Sequence, residues 1–190
     1  MRIIAGSLKG RRLKAPTWDG LRPTSDKLRE TLFNILAPSI EGARVLDAYA
    51  GTGASGIEAL SRGAASVTFV EHDRRAQALI ADNLAHCGVV EGYAIIRADM
   101  ARAIGQLRAA GLTFDIALLD PPYDQSAEAE LAALADLLAP AGVAVVEHPR
   151  RRRAPEQAAQ LRRTREVTSG DSTLSFYRAS FNEASFNEAL

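Results

Sequence analysis

Two short stretches hold residue types that could do chemistry. The first is Val45-Leu46-Asp47-Ala48-Tyr49-Ala50-Gly51-Thr52-Gly53-Ala54-Ser55-Gly56. It reads as a strand running through a glycine-rich turn into a helix. Glycine lets a backbone approach a ligand closely, and the N–H groups that open a helix lack intrahelical partners. Glu71 follows at the end of a second strand, Thr68-Phe69-Val70-Glu71, where a carboxylate can accept both hydroxyls of a ribose. The pair points to an adenosine-bearing cofactor. Gly51, Gly53 and Gly56 also fit the dinucleotide pattern, so a nicotinamide cofactor stays open here.

The second stretch is Asp120-Pro121-Pro122-Tyr123, directly after an apolar strand over 114–119. In an open α/β sheet the carboxyl ends of the strands form the ligand crevice. Two prolines remove two N–H donors, so the backbone offers carbonyls alone. With the Asp120 carboxylate and the flat Tyr123 ring, this makes a pocket for a planar group bearing an exocyclic amine.

The elements that must position these stretches alternate. Strands are expected over 44–49, 66–71, 93–98, 114–119 and 142–147, with helices near 55–62, 73–87, 99–110 and 126–139. The strands are short and apolar on both faces, as in a sheet covered by helices, and the alternation predicts a parallel, doubly wound α/β sheet. A further helix is expected near 154–161, then a closing pair of strands over 165–169 and 173–178. Residues 1–40 read as an accessory extension: a hairpin from Ile3-Ile4-Ala5-Gly6 and Gly10-Arg11-Arg12-Leu13, a loop at Trp18-Asp19-Gly20, and a helix that Pro38 stops. The main domain covers 41–179. The tail over 180–190 contains SFNEA twice and is read as disordered, without a function.

With 190 residues, 47% hydrophobic and 24% charged, the chain can bury one domain's core without staples. A single cysteine, Cys87, excludes a disulfide framework and reads as a small apolar filler. No apolar run approaches the ~20 residues of a membrane span, so a cytoplasmic setting is expected. The net charge of zero conceals a division. Residues 1–29 carry +6, residues 150–165 carry +6, and the rest carries −12. An acidic body with two basic ends suggests a polyanion held at one surface. Arg2, Lys9, Arg11, Arg12, Lys14 and Arg22 at one end, and Arg150, Arg151, Arg152 and Arg153 at the other, are the candidate phosphate contacts. His72, His86 and His148 lack the spacing of a metal site, and no metal is expected; His72 and His148 read as rim residues beside strand-end glutamates.

Asp47 and Gly51-Thr52-Gly53 together with Asp120-Pro121-Pro122-Tyr123 resemble the class I S-adenosylmethionine-dependent methyltransferases that act on a nucleobase amine. The flanks narrow the resemblance. Arg2-Ile3-Ile4-Ala5-Gly6, the run from Leu21-Arg22-Pro23-Thr24 to Leu32-Phe33-Asn34, Gly56-Ile57-Glu58-Ala59-Leu60, and Gly170-Asp171 with Leu174-Ser175-Phe176-Tyr177 are similar to the bacterial 16S rRNA guanine-N2 methyltransferases. The likeness extends over about 1–179. Ala48-Tyr49 and Thr52 depart from it, standing where Leu-Phe and Ser would be expected.

The resemblance implies a Rossmann-like class I methyltransferase fold, a mostly parallel sheet with an antiparallel last strand. It implies that Asp47, Gly51, Thr52 and Gly53 face the methionine part of S-adenosylmethionine and that Glu71 holds its ribose. Asp99 would accept from the adenine amine with Met100 beside the ring, and Asp120, Pro121, Pro122 and Tyr123 would hold a flipped guanine. The partner would be 16S rRNA or a small ribosomal subunit particle, and the enzyme a monomer. Three rivals remain at this point: an adenine-N6 DNA or RNA methyltransferase, a nicotinamide-dependent dehydrogenase that leaves Asp120 to Tyr123 idle, and a noncatalytic RNA-binding module.

Overall fold

The computed structural model describes residues 1–18, 24–122 and 126–180. A helix, α1 (Asp26–Ile40), precedes the alternating domain. Then follow β1 (Arg44–Ala48), α2 (Ala54–Ser61), β2 (Ser66–Glu71), α3 (Arg74–His86), β3 (Tyr93–Arg97), α4 (Met100–Ala109), β4 (Phe114–Leu119) and α5 (Ala127–Leu134). The chain closes with β5 (Leu138–Pro149), β6 (Gln157–Ala158), β7 (Leu161–Ser169) and β8 (Ser172–Ala179). Among the described residues these make one 8-stranded sheet in the order β3-β2-β1-β4-β5-β8-β7-β6. Strands β1 to β5 pair in parallel, while β8, β7 and β6 add antiparallel; β7 and β8 are the expected closing pair, and β6 adds a short further strand.

Each face of the sheet has its own core. Val45, Ile116, Val143 and Val145 look toward one face, with Ile57, Phe69, Ile80 and the α1 residues Leu28, Leu32, Phe33, Leu36 and Ile40. Leu46, Ala117, Ala144 and Val146 look toward the other, with Ile104, Leu107, Leu131 and Tyr177. Alternate residues of one strand therefore feed opposite cores, which is why the strands are apolar throughout. Ile3 and Leu13 join the first core, so the N-terminal segment is packed on the domain.

Local chemistry accounts for most element starts. The Ser25 side chain caps α1 by accepting from Leu28 N–H, and Asp73 caps α3 by accepting from Arg75 N–H. Gly53 opens α2 with φ of 75°, a left-handed conformation that suits glycine. The expected N-terminal hairpin forms as a short antiparallel pairing: Arg2 bridges Arg12, Ile3 N–H donates to the Arg11 carbonyl at 2.9 Å and Leu13 N–H to the Met1 carbonyl at 3.2 Å.

Three expectations are corrected. The region near 154–161 is not helical: Pro155 is followed by β6, which folds back on β7 and buries Ala158 and Leu161. Burial against a sheet edge outweighs the helix preference of its alanines. Pro38 does not stop α1, which continues to Ile40. In the last turn a missing N–H forfeits one hydrogen bond, and the burial of Ile40 offsets it. The fifth strand also begins before and ends after the 142–147 expected. Asp19, Gly20 and residues 181–190 of the tail lie outside the described residues, although Ser180 still donates its N–H to the Gln160 carbonyl at 2.8 Å.

Gly56 shows how tightly α2 seats on β2. A Cβ there would stand 2.2 Å from Cε1 of Phe69, a ring at the centre of the first core. Gly56→Ala is expected to destabilise the fold by about 1–3 kcal/mol through overpacking, read as a lower urea midpoint at unchanged slope.

Candidate active site

The parallel pairing of β2, β1, β4 and β5 runs out along one edge, and register brings neighbouring residues together there. Asp47 pairs with Phe69 on one side and with Leu118 on the other. Leu119 pairs with Val146, so Asp120 and Glu147, each one residue further, emerge side by side. Glu71, Asp47, Asp120 and Glu147 thus come from four adjacent strands and line one cavity of about 480 Å³. Tyr49, Gly51, Thr52, Pro121 and Pro122 share its lining. Trp18, Thr24 and Leu32 close it from the N-terminal side.

Backbone amides fix the carboxylates. Asp47 Oδ2 accepts the Gly56 N–H at 2.8 Å, tying the end of β1 to the first turn of α2 across the glycine turn. Glu71 accepts the Gly51 N–H at 2.9 Å through one oxygen and the Asp73 N–H at 2.8 Å through the other. Thr24 donates its hydroxyl to Glu147 at 2.8 Å. Burial pushes the Asp47 carboxyl up to about 7 against the Gly56 bond, and Asp120 and Glu71 add like charge. Asp120 is exposed to the cavity, yet crowding by protein atoms and then the charge of Glu147 raise it above the usual carboxylate range. Solvent in the cavity screens part of that effect.

The N-terminal wall is anchored by buried charge. Glu58, fully buried on α2, accepts the N–H groups of Ile4 and Ala5 at 2.8 and 3.0 Å and the Arg62 Nε at 2.7 Å. Buried Arg29 donates to the Arg2 carbonyl at 2.6 Å and to Asp26 at 2.9 Å. Asn83 then bridges the wall to the glycine turn, accepting the Lys14 N–H and donating to the Thr52 carbonyl. Trp18 lies 5.0 Å from the Arg75 guanidinium, stacked over it.

The structure gathers most of the expected residues and separates a few. Asp47, Gly51, Thr52, Glu71, Asp120, Pro121 and Pro122 meet at the cavity. Gly53 lies beneath it with φ of 75°. Asp99 caps α4 by accepting the Arg102 N–H at 2.8 Å, Met100 is buried in the second core, and neither lines the cavity. Tyr123 and Arg22 lie outside the described residues. Arg152 and Arg153 border a small cleft with Pro121, Pro122 and His148. Arg2, Lys9, Arg11, Arg12 and Lys14 are exposed, but Lys14 pairs with Asp82 and Arg11 donates to the His86 carbonyl beside α3. His72 is at the cavity rim as expected. His148 is not: it is buried within the sheet, its Nε2 2.9 Å from Ser175 Oγ. Glu147, Tyr49, Trp18 and Thr24 were not expected at the site. The strand-end rule that singled out Asp120 applies equally to Glu147, the last residue of the expected fifth strand; Tyr49 sits inside the glycine-turn stretch, and Trp18 and Thr24 come from the N-terminal segment.

The donor set suits a cationic, ribose-bearing ligand. Acidic side chains line the cavity, Glu71 is held rigidly at a strand end, and the glycine turn leaves room for close approach. Fold and cavity together are those of a class I methyltransferase, the class whose methyl donor is S-adenosylmethionine. The comparisons place it further. Residues 1–178 match the model of the family described as conserved hypothetical protein 95, and the chain belongs to that family. It is 38% identical over 181 residues to the Bacillus subtilis protein YlbH, named as a candidate rRNA methyltransferase, covering 94% of this chain and 98% of the relative. It is 46% identical over 123 residues to ribosomal RNA small subunit methyltransferase D of Escherichia coli K12, covering 65% of this chain and 60% of that protein. Among solved structures, the Escherichia coli protein yhhF, titled a candidate methyltransferase, superposes with a TM-score of 0.81 at 36% identity over 96% of this chain and 99% of that one.

The raised Asp47 has a consequence for stability. Its protonated form is favoured in the folded protein, so its contribution is full below the ordinary 3.8 and is lost as pH rises to about 7. Asp47→Asn keeps an acceptor for the Gly56 N–H and carries no charge. Its melting temperature is expected to exceed that of the parent by a gap that widens between pH 4 and pH 7, about 2–4 °C for each kcal/mol relieved. A constant gap across that range would contradict the assignment.

Proposed function

We propose that this methyltransferase modifies the exocyclic N2 of a guanine in small-subunit rRNA. The observation that carries the reading is the juxtaposition of Asp120 and the Pro121-Pro122 backbone with Asp47 and Glu71 in one cavity. The names of the relatives in Bacillus subtilis and Escherichia coli support an rRNA substrate. When bound, S-adenosylmethionine supplies a sulfonium methyl group that the N2 lone pair takes, leaving the C–S electron pair on sulfur.

The chain's own residues do the rest. Asp47 and the turn at Gly51, Thr52 and Gly53 hold the cationic end of the cofactor, and the fixed Glu71 carboxylate accepts from its ribose. The N2 lone pair of guanine is delocalised into the ring. Hydrogen bonds from that amine to the Asp120 carboxylate and the Pro121 carbonyl turn the lone pair outward and stabilise the positive charge that develops on nitrogen. The methylated nitrogen then loses its extra proton to solvent water, so Asp120 does not have to be a strong base. Holding both partners in place contributes about 7 kcal/mol or more. Tyr123 offers the ring on which the unstacked base rests. Arg152 and Arg153, beside the Pro121-Pro122 backbone, receive phosphates of the RNA. A structured loop with splayed bases is the RNA form this site suits.

Labelled S-adenosylmethionine, incubated with unmethylated small-subunit rRNA free and in 30S particles, is expected to yield N2-methylguanosine on nucleoside analysis. N6-methyladenosine would overturn the guanine assignment. Asp120→Ala is expected to lose turnover by at least about 100-fold while its cofactor affinity, measured by calorimetry, stays nearly unchanged. Replacing both Arg152 and Arg153 with Ala should weaken RNA binding and flatten its dependence on log salt by about 1–2. An unchanged slope would remove this pair from the RNA surface.

A further inference from the structure

Glu147 stands beside Asp120 because β4 and β5 are adjacent and in register, Leu119 opposite Val146. Both carboxylates line the same cavity, close enough for Glu147 to act electrostatically on Asp120. Thr24 donates to Glu147 and so orients it. A carboxylate has about four acceptor sites and, when ionised, no donor. Accepting the amine requires Asp120 and a backbone carbonyl alone; a second carboxylate at its side must read something else.

The Watson–Crick edge of guanine supplies it. Beside the N2 amine lies N1–H, a second donor, whereas the amine of adenine lies beside N1 as a bare acceptor. We infer that Glu147 is a specificity residue that accepts the N1–H of guanine and repels the N1 lone pair of adenine. This rests on the guanine-N2 reading above and extends it to how the base is chosen. Attraction to one base and repulsion of the other reside in a single side chain, the form that discrimination takes when both bases fit the same slot. A site built around a donor rejects an analogue that lacks it far more strongly than an apolar pocket rejects a misfit.

The test uses full-length protein and 2-aminopurine, which keeps the amine of guanine but has no hydrogen on N1. Nucleoside analysis of natural rRNA comes first: N6-methyladenosine there overturns the guanine reading, and this inference with it, before any variant is made. With the target guanine mapped, small-subunit rRNA is assembled from a synthetic segment bearing guanine or 2-aminopurine at that position. The unaltered enzyme is expected to methylate the guanine RNA at least about 100-fold faster in kcat/KM. Glu147→Gln presents an amide N–H to the bare N1, so its guanine rate should fall and its preference shrink to about tenfold or less. Equal methylation of both RNAs by the unaltered enzyme overturns the inference, as does a Glu147→Gln variant that slows on both with the ratio intact. Thr24→Val removes the hydroxyl that orients Glu147 and serves if the first variant does not fold. It should lower the ratio in the same direction by less, and a ratio unchanged in it would also overturn the inference.

Discussion

Like charge crowded into one cavity is the constraint around which the rest of this molecule is arranged. A parallel sheet delivers the ends of its strands to a single edge, and here Glu71, Asp47, Asp120 and Glu147 arrive there together. Carboxylates brought out of bulk water repel one another and favour their neutral forms, as the upward displacement of Asp47 and Asp120 records. The fold offsets this with the N–H groups of Gly51, Asp73 and Gly56, all from backbone that turns at the same edge. The compensation is partial. On the proposed reading a cationic ligand completes it, so binding stabilises the folded chain.

The N-terminal segment follows from the same constraint. A cavity at the open edge of a sheet needs a wall, and this wall is too short to carry a core of its own. It borrows Ile3 and Leu13 from the main core and is pinned by Glu58, a buried carboxylate that accepts two backbone N–H groups and the guanidinium of Arg62. Removing either partner would strand a buried charge, which is far more costly than losing a surface pair. The wall therefore has one position relative to α2. Asn83 joins Lys14 to Thr52, so the glycine turn and the wall are tied to each other.

What could be read in the sequence was what is local. The glycine turn, the strand-end carboxylates and the Asp-Pro-Pro run each declare themselves within a dozen residues, and the alternation of β and α fixes the sheet that brings them to one edge. Glu147 was equally a strand-end carboxylate, but its meaning depends on standing next to Asp120, a matter of register between β4 and β5 that no local pattern carries. His148, its neighbour, points the other way and is buried on Ser175, as the period of two along a strand requires. The segment near 154–161 misled for a related reason. Alanine, leucine and glutamine favour a helix, yet Leu161 and Ala158 find more burial as strand residues at the end of the sheet. Asp99 caps α4, as its place before a helix suggests.

The division of charge along the chain takes on a spatial sense in the fold. Asp47, Glu71, Asp120 and Glu147 line the cavity, while Arg152 and Arg153 border the adjoining cleft beside Pro121 and Pro122. On the proposed reading, a nucleotide meets these two zones in order. Its phosphates are attracted to the guanidinium groups and repelled by the carboxylates behind them, so the backbone halts at the cleft. The base carries no charge and presents donors on its edge, so it alone gains by going further. The same field that keeps phosphate out favours a sulfonium within, and one arrangement of side chains thereby sorts a cation, a neutral base and a polyanion into three adjoining places. A base drawn inward while its phosphates stay outside has to leave its stack, which is the conformation that methyl transfer to its exocyclic amine requires.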